Sequence, residues 1–307
     1  MTDYGHDLVF GTFLTPQSTR PQDVIELAER TEQAGLDLVT FQDHPYNPTS
    51  LDTWTLLSYV AARTERVHLS GYVLNLPSRP PAVLARAAAS LDRLSSGRVE
   101  LGIGPGDTYA AGAAVANGAP QRNAPQAVQA LGEAIDIIRG IWDTSGAGGV
   151  SVSGEHYQVR NTARGPKPAH DIEVWVPAGG PRMRRLVAEK ADAWIAGGAW
   201  LSDIDGEVTR GNNTIDEAAM AAGRDPREIR RIWDFHGRFG SVGRGVAGGR
   251  PDQWSDELLQ LAMTYGMSTF ILITDDPKTI DLFGREVAPS LRESVAGERA
   301  MNVARPV

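Results

Sequence analysis

The sequence predicts an α/β chain folded as one closed (β/α)8 TIM barrel, with an excursion hairpin and loop insertions at the active-site end. Three observations carry this expectation. Short apolar runs alternate with segments of helical period along the whole chain, the pattern of βα units around a parallel sheet. The alternation counts to eight strands and eight helices. No linker or shift of composition divides the 307 residues, and an α/β barrel of this size runs as a single domain, here 1–307. A doubly wound open sheet is the other topology that the alternation admits.

Strand one is expected at 8–14 and helix one at 21–34, where Val24, Leu27, Ala28 and Thr31 keep one face and Gly35 takes the left-handed C-cap position. Strand two, 38–41, precedes a helix at 53–64. Strand three, 67–73, leads to helix 81–94, which opens on a proline suited to a first turn, and strand four comes next at 99–103. Helix 125–142 holds Val128, Leu131, Ile135, Ile138 and Trp142 at helical spacing, and 150–159 alternates around Ser153 and Gly154 as the hairpin. Strand 173–176, helix 181–191, strand 193–195, helix 203–222, strand 229–235, helix 252–265, strand 270–273 and helix 277–287 complete the ring. The Gly- and Ala-rich stretches at 110–120, 146–149 and 237–250 fall between elements.

Composition narrows the partners. With 30 basic against 38 acidic residues and a net charge of −8, and with no basic stripe, the chain repels nucleic acid and anionic membrane surfaces. The lack of cysteine removes disulfides, thiolate metal sites and a thiol nucleophile. No basic and apolar leader opens the sequence, and no apolar stretch approaches the ~18 residues of a membrane span. A cytoplasmic protein acting on a small molecule is expected, with a dimer as the fold-level expectation. G-x-S-x-G and the P-loop pattern are both missing, so hydrolase and P-loop readings lose their main support.

In a barrel the C-terminal ends of the strands line the active-site mouth, which converts position into function. In TFQDHPYNP, residues 40–48, Asp43 and His44 fall just past strand two, and Pro45 stiffens the turn beyond them. An imidazole exchanges a proton near neutral pH, and a neighbouring carboxylate selects its tautomer or binds something else. The plainer reading is a capping Asp beside a solvated His. In VELGIGPGDTYAAG, residues 99–112, Gly102, Gly104 and Gly106 alternate after strand four, with Asp107 next in the chain. Such a turn lets backbone approach a planar ligand or a phosphate, though a plain tight turn reads as well. The dinucleotide pattern fails because its third glycine would stand at 107. In WVPAGGPRMRRL, residues 175–186, a strand runs through Ala178, Gly179 and Gly180 into a helix start, where free N–H groups beside Arg182, Arg184 and Arg185 form an anion cradle; a glycine-rich turn with surface arginines is the alternative. His68 and His156 read as packing or surface residues, and His236 is placed to reach the mouth. No metal site is expected, because no His-x-x-x-His or paired-carboxylate spacing occurs.

The segments GLDLVTFQDH, YVLNLPSRPPAVLARAAASLDRLSSGRVELGIGPGD at 72–107, EHYQV, AGGPRMRRLVAEKADAWI and FILITDDPKTIDLFGREVAPSLRE together resemble the luciferase-like monooxygenase superfamily. The resemblance covers nearly the whole chain and implies a (β/α)8 barrel using reduced FMN or the deazaflavin F420. In F420-using members an Asp-His pair after strand two lies against the ring system, the Asp contacting the cofactor and the His serving as acid or base, which matches Asp43 and His44. A non-prolyl cis peptide behind the ring matches Tyr72 and Val73, and the polar residue after it matches Asn75. The turn after strand four matches Gly104, Gly106 and Asp107, the last standing where sugar-phosphate dehydrogenases carry a longer acid as proton donor. The phosphate site matches Ala178, Gly179 and Gly180. Asp-His leans toward F420 and hydride transfer from or to the deazaflavin C5; FMN-dependent oxygenation is the alternative. A cofactor-binding barrel without catalysis, and a sugar-phosphate isomerase or aldolase, are the readings from other classes. The last lacks a strand-end lysine.

Overall fold

The computed structural model describes residues 2–106, 111–201, 203–240 and 248–304. Eight parallel strands form the barrel wall: β1 Val9–Leu14, β2 Leu38–Phe41, β3 His68–Gly71, resuming at Leu74–Asn75, β4 Leu101–Gly104, β5 Val174–Pro177, β6 Ala193–Ile195, β7 Arg230–His236 and β8 Thr269–Ile273. Their order around the wall runs β3, β2, β1, β8, β7, β6, β5, β4. The last seam closes through a parallel bridge between Leu69 and Val99 and through the pairing of Leu74 and Asn75 with Ile103 and Gly104. The sheet is therefore closed, as the eightfold alternation predicts, and the open-sheet alternative falls.

The helices α1 Pro21–Gln33, α2 Thr53–Ala61, α3 Pro81–Leu94, α5 Ala124–Trp142, α6 Pro181–Lys190, α7 Ile204–Ala221, α8 Pro251–Tyr265 and α9 Pro277–Leu282 cover the outside, while the short α4 Ala111–Ala116 lies at the rim. Two layers of apolar packing result. Leu38, Trp175, Ala193, Ile195, Ile232 and Ile271 fill the barrel interior, with Phe13, Tyr72 and Val73 against them. Between strands and helices a continuous core runs from Phe10 and Val24 to Phe283 and Leu291. Because the strands are covered on both faces, most of them read as short buried runs rather than as alternating ones, with Ser70, Arg231 and Asp234 as buried polar interruptions.

Departures from the expected boundaries have local causes. Helix α2 stops at Ala61 rather than 64, because the buried Arg98 guanidinium takes the carbonyls of Ala61, Thr64 and Val67. Strand three breaks at Tyr72-Val73, whose peptide bond is cis. The chain does not end its helical run at 287: a wide π turn at Phe283–Val287 leads into α10 Ala288–Ala304, with Pro289 in a first turn where no N–H is required. Helix α4 lies inside a stretch expected to be loop. The hairpin Val150–Ser153 and Gln158–Thr162 is pinned to α5 by the Glu133 carboxylate, which accepts the backbone N–H groups of Glu155, His156 and Tyr157. Among the described residues no helix is long and apolar enough to cross a membrane.

The N-terminal segment packs against α7 and the start of β7, beside the barrel end opposite the mouth. Tyr4 donates to Asp216, which also holds the fully buried Arg231, and the Arg231 guanidinium lies 4.1 Å from the Tyr4 ring centroid. Beside them His6 has its Nε2 buried without a partner. Burial, reinforced by the charges of Arg230 and Arg231, lowers its pKa from 6.5 to about 4. Between those two values the unfolded chain binds a proton that the folded chain refuses, so acidification through this window favours unfolding. In His6→Asn the loss of stability between pH 6.5 and 4 should be smaller than in the parent chain, as read from denaturant midpoints across that range.

Candidate active site

Strand β2 delivers Asp43 and His44 to the C-terminal rim, and their side chains part company there. Asp43 turns inward, with its carboxylate fully buried. Its Oδ2 accepts the Asn75 backbone N–H at 2.8 Å and Arg79 Nε at 3.1 Å, while Oδ1 accepts Arg79 Nη2 at 2.9 Å. The two-pronged guanidinium–carboxylate geometry is the strongest form of such a pair. Arg79 also donates to Asp52, which caps α2 through the Thr55 N–H. Burial works against the Arg79 charge, but these two carboxylates outweigh it and raise its pKa. Asp43 is thus first a clamp joining the end of β2 to the chain after the cis peptide.

That clamp holds a bulge. Tyr72 N–H still donates to the Phe41 carbonyl at 2.7 Å, so β2 accompanies β3 up to the break. On the other side the Ser70 hydroxyl fills the gap in the ladder, accepting Gly102 N–H at 3.1 Å and donating to the Gly71 carbonyl at 3.0 Å. A Cβ on Gly102 would stand 2.1 Å from the Gly71 carbonyl oxygen, and one on Gly104 would stand 2.6 Å from Val73 Cγ2. The glycines expected to admit a ligand are therefore required, at 102 and 104, by the protein's own bulge. Gly106 differs: its φ of +101° belongs to glycine, and it bends the chain over Pro77. Tyr72 packs edge-on against Phe13, and its hydroxyl, buried without a partner, is held neutral by that burial.

His44 stays half-buried on the rim, with Nδ1 2.8 Å from the Tyr46 hydroxyl. It lines a cavity of about 220 Å³ together with Asp43, Tyr72, Val73, Asn75, Gly104 and Gly106. A second cavity of about 620 Å³ shares Asn75, Pro105, Gly106 and Pro177 with the first and runs on to Gly179, Gly180, Arg122 and Arg182. The rim thus carries two adjoining cavities with a common wall, the imidazole bordering one and a basic, glycine-lined recess belonging to the other. In that recess Gly180 precedes α6 without any side-chain cap, and a Cβ on either glycine would meet nothing within 4 Å. The backbone donors at this helix start are open to a ligand.

Not all the expected residues gather there. Ala178 is buried, its N–H bound to the Ile195 carbonyl and its own carbonyl to Trp194 Nε1. Arg184 leaves the cradle: it is buried, reaches Glu207 at 3.3 Å and lies over the Trp194 ring. His236 is exposed at the end of β7, outside both cavity linings. Asp107 lies outside the described residues. Two participants were missed in the sequence. Arg79 sits in the LPSRPP run, where a lone cation among apolar residues and prolines was the available signal. Arg122, which donates to the Tyr157 hydroxyl at 3.2 Å with its guanidinium over that ring, stands in a polar stretch with no distinguishing pattern.

A closed parallel barrel with cavities on its C-terminal rim, an imidazole bordering one and an uncapped helix start bordering the other, is the architecture of a barrel that can hold a cofactor at its rim. Residues 8–236 match the model of the luciferase-like monooxygenase family, and the chain belongs to that family. It is 30% identical over 227 residues to an F420-dependent glucose-6-phosphate dehydrogenase of Intrasporangium calvum, an alignment spanning 67% of each chain. A second F420-dependent glucose-6-phosphate dehydrogenase, from Kribbella flavida, is 34% identical over 57% of this chain, which there spans 53% of the relative's length. An F420-dependent secondary alcohol dehydrogenase in complex with an F420-acetone adduct has the same fold, with a TM-score of 0.79, 19% identity, and coverage of 93% of this chain and 99% of that one. The family and the barrel expected from the sequence are borne out.

The clamp has a measurable weight. Asp43→Ala takes the Asn75 N–H acceptor and one of two carboxylates from a mostly buried guanidinium; with Asp52 still paired to Arg79, the loss should stay below the about 3–5 kcal/mol of a fully broken buried pair. Asp43→Ala should lower the denaturation midpoint accordingly. Because the two residues act as one unit, Asp43→Ala combined with Arg79→Ala should cost clearly less than the sum of the single losses.

Proposed function

We propose that this chain is an oxidoreductase that binds the deazaflavin F420 and passes a hydride between its C5 and a small organic substrate, with His44 as the acid or base. The observation that carries this reading is the pair of adjoining rim cavities, one bordered by the His44 imidazole and the other by the open backbone of Gly179 and Gly180. The names of the relatives support the choice of F420. The residues present fit such a cofactor: the unfilled space beside Gly179 and Gly180, the uncapped start of α6, and Arg122 and Arg182 on the same cavity wall suit its anionic part. Tyr72, Val73, Asn75, Gly104 and Gly106 would bound the ring end, and Asp43 would act by holding that wall in place. When bound, the deazaflavin supplies a carbon centre suited to hydride rather than to oxygen chemistry.

The chain's own part is proton handling and placement. A hydroxyl both donates and accepts, so Tyr46 can satisfy His44 Nδ1 whether that nitrogen is bare or protonated. The ring thereby keeps its orientation while Nε2 gains or loses the proton that accompanies the substrate's change between alcohol and carbonyl. Asp107, next to the rim residue Gly106, is proposed as a second acid. Preorganised geometry would supply most of the rate.

Titration of the chain with F420 and with FMN, then assay of the reduced form that binds, tests the reading. F420 should bind more tightly and be turned over. His44→Ala should lower turnover by about 10²–10⁴, the usual worth of a placed acid or base, with the cofactor Kd nearly unchanged. Unaltered turnover in that variant would remove His44 from the mechanism. Preference for FMN with O2 uptake would point to oxygenation, and binding without any redox reaction to a barrel that only holds its cofactor.

A further inference from the structure

At the barrel end opposite the rim cleft, three side chains from separate parts of the sequence converge. His68 opens β3, Glu100 immediately precedes β4, and His170 lies in the loop leading to β5. Glu100 Oε1 is 3.1 Å from His68 Nδ1 and 3.2 Å from His170 Nε2, and the three atoms all lie within 4.8 Å of one another. The imidazole planes cross at 86° with centroids 6.0 Å apart, so the two rings approach the shared oxygen from different directions. We propose that His68, Glu100 and His170 form a binding site for a divalent transition-metal ion of the zinc class, tying together the starts of three consecutive barrel strands.

Three features separate this cluster from a casual meeting of polar groups. The first is spacing. Donors about 2.0–2.1 Å from a tetrahedral zinc ion stand roughly 3.3 Å from each other; the two oxygen–nitrogen separations, which are hydrogen bonds here, already come close to that value, and the two imidazole nitrogens lie within 4.8 Å and need only draw together. The second is orientation. Asp92, wholly buried, accepts the backbone N–H groups of Val99, Ala169 and His170, and its Oδ1 lies 2.8 Å from His170 Nδ1. Asp92 thus fixes the ring from the Nδ1 side and aims Nε2 at Glu100 Oε1; an ion bound there would take the place of the Nε2 proton that now bridges to that oxygen. This carboxylate–imidazole relay is the usual support of a metal-bound histidine. The third is the division of labour within Glu100: Oε2 accepts the Glu173 backbone N–H at 2.8 Å, which fixes the carboxylate and leaves Oε1 to face both imidazoles.

The donor set selects the ion. Two imidazoles and one carboxylate oxygen suit zinc, cobalt or nickel, whereas calcium and magnesium ask for more oxygen ligands. A cavity of about 360 Å³ borders His68 and Glu100 and gives room for water to complete the coordination. The two arginines on its wall already have acidic partners: Arg230 lies 3.3 Å from Glu173, and Arg66 lies 3.9 Å from Asp37. An ion there would act as a structural staple on the seam between β3 and β4, the one interrupted by the bulge.

The experiment uses the full chain, treated with EDTA and dialysed. Calorimetric titration with Zn2+ and absorption titration with Co2+ should each saturate at one equivalent, the cobalt complex showing the visible bands of four- or five-coordinate ligation by imidazole. Zn2+ should also raise the thermal midpoint in a saturable way, as any ligand of the folded state does. His68→Gln, at a half-exposed strand start, and Glu100→Gln should each weaken binding by more than about tenfold, at least the loss known for disturbed supporting partners. His156→Gln, in the distant hairpin, should bind as the parent does. The proposal is overturned by an unmodified chain that takes up no stoichiometric ion, or by binding that survives His68→Gln. Equal loss in His156→Gln would overturn it too. The metal titration of the unmodified chain decides the matter even if a variant fails to fold.

Discussion

The buried carboxylate of Asp43 is the constraint on which the rim depends. Strand three cannot run straight past β2 and β4 once its chain bulges at Tyr72-Val73, so something must hold the returning segment in register. Asp43 does this with one oxygen on the Asn75 N–H and both on Arg79. A charged pair removed from water is costly unless its lone pairs and protons are used, and here they are. Its immediate neighbour His44 is thereby left at the surface of the cleft with its ring set by Tyr46. One residue of the pair builds the wall and the next faces the space.

Close backbone approach is the second condition. At the seam between β3 and β4 the chains come together so tightly that positions 71, 102 and 104 have no room for a side chain. The Ser70 hydroxyl takes the place of a ladder partner beside the bulge, so the Gly102 N–H keeps an acceptor. The resulting cavities adjoin, one bordered by His44 and the other by the start of α6, where a glycine pair leaves helical N–H groups uncovered. Cleft, bulge and helix start are consequences of one distorted strand and the turn after β5.

The opposite end of the barrel is built on different terms. Its wall carries ionisable groups in pairs and triads: Glu173 with Arg230, Arg231 with Asp216, and Glu100 with two histidines. Tyr4 and His6 pack beside it, against α7 and the start of β7. The rim relies on backbone geometry and open space, while the opposite end relies on side-chain charge held in fixed partnerships. A protein divided this way can vary its loops at the rim without disturbing the closure of the sheet.

The eightfold alternation, the strand positions and the placement of Asp43, His44 and Gly179-Gly180 past strand ends were legible in the sequence, because hydrophobic period and chain order are local properties. The family resemblance rested on the same local segments. What the sequence left open depended on which distant atoms meet. Gly102 and Gly104 look like a ligand turn in isolation, and only the facing bulge shows that the Gly71 carbonyl and the Val73 side chain take the space beside them. Arg184 and Arg182 are equivalent by spacing, yet Glu207 and Trp194 draw one of them inward. His68, Glu100 and His170 have no motif spacing and become neighbours because the ring closes between β3 and β4. Sequence period determined the barrel; the closure of that barrel in three dimensions decided which side chains share a site, since contact depends on distance in space and not on position along the chain.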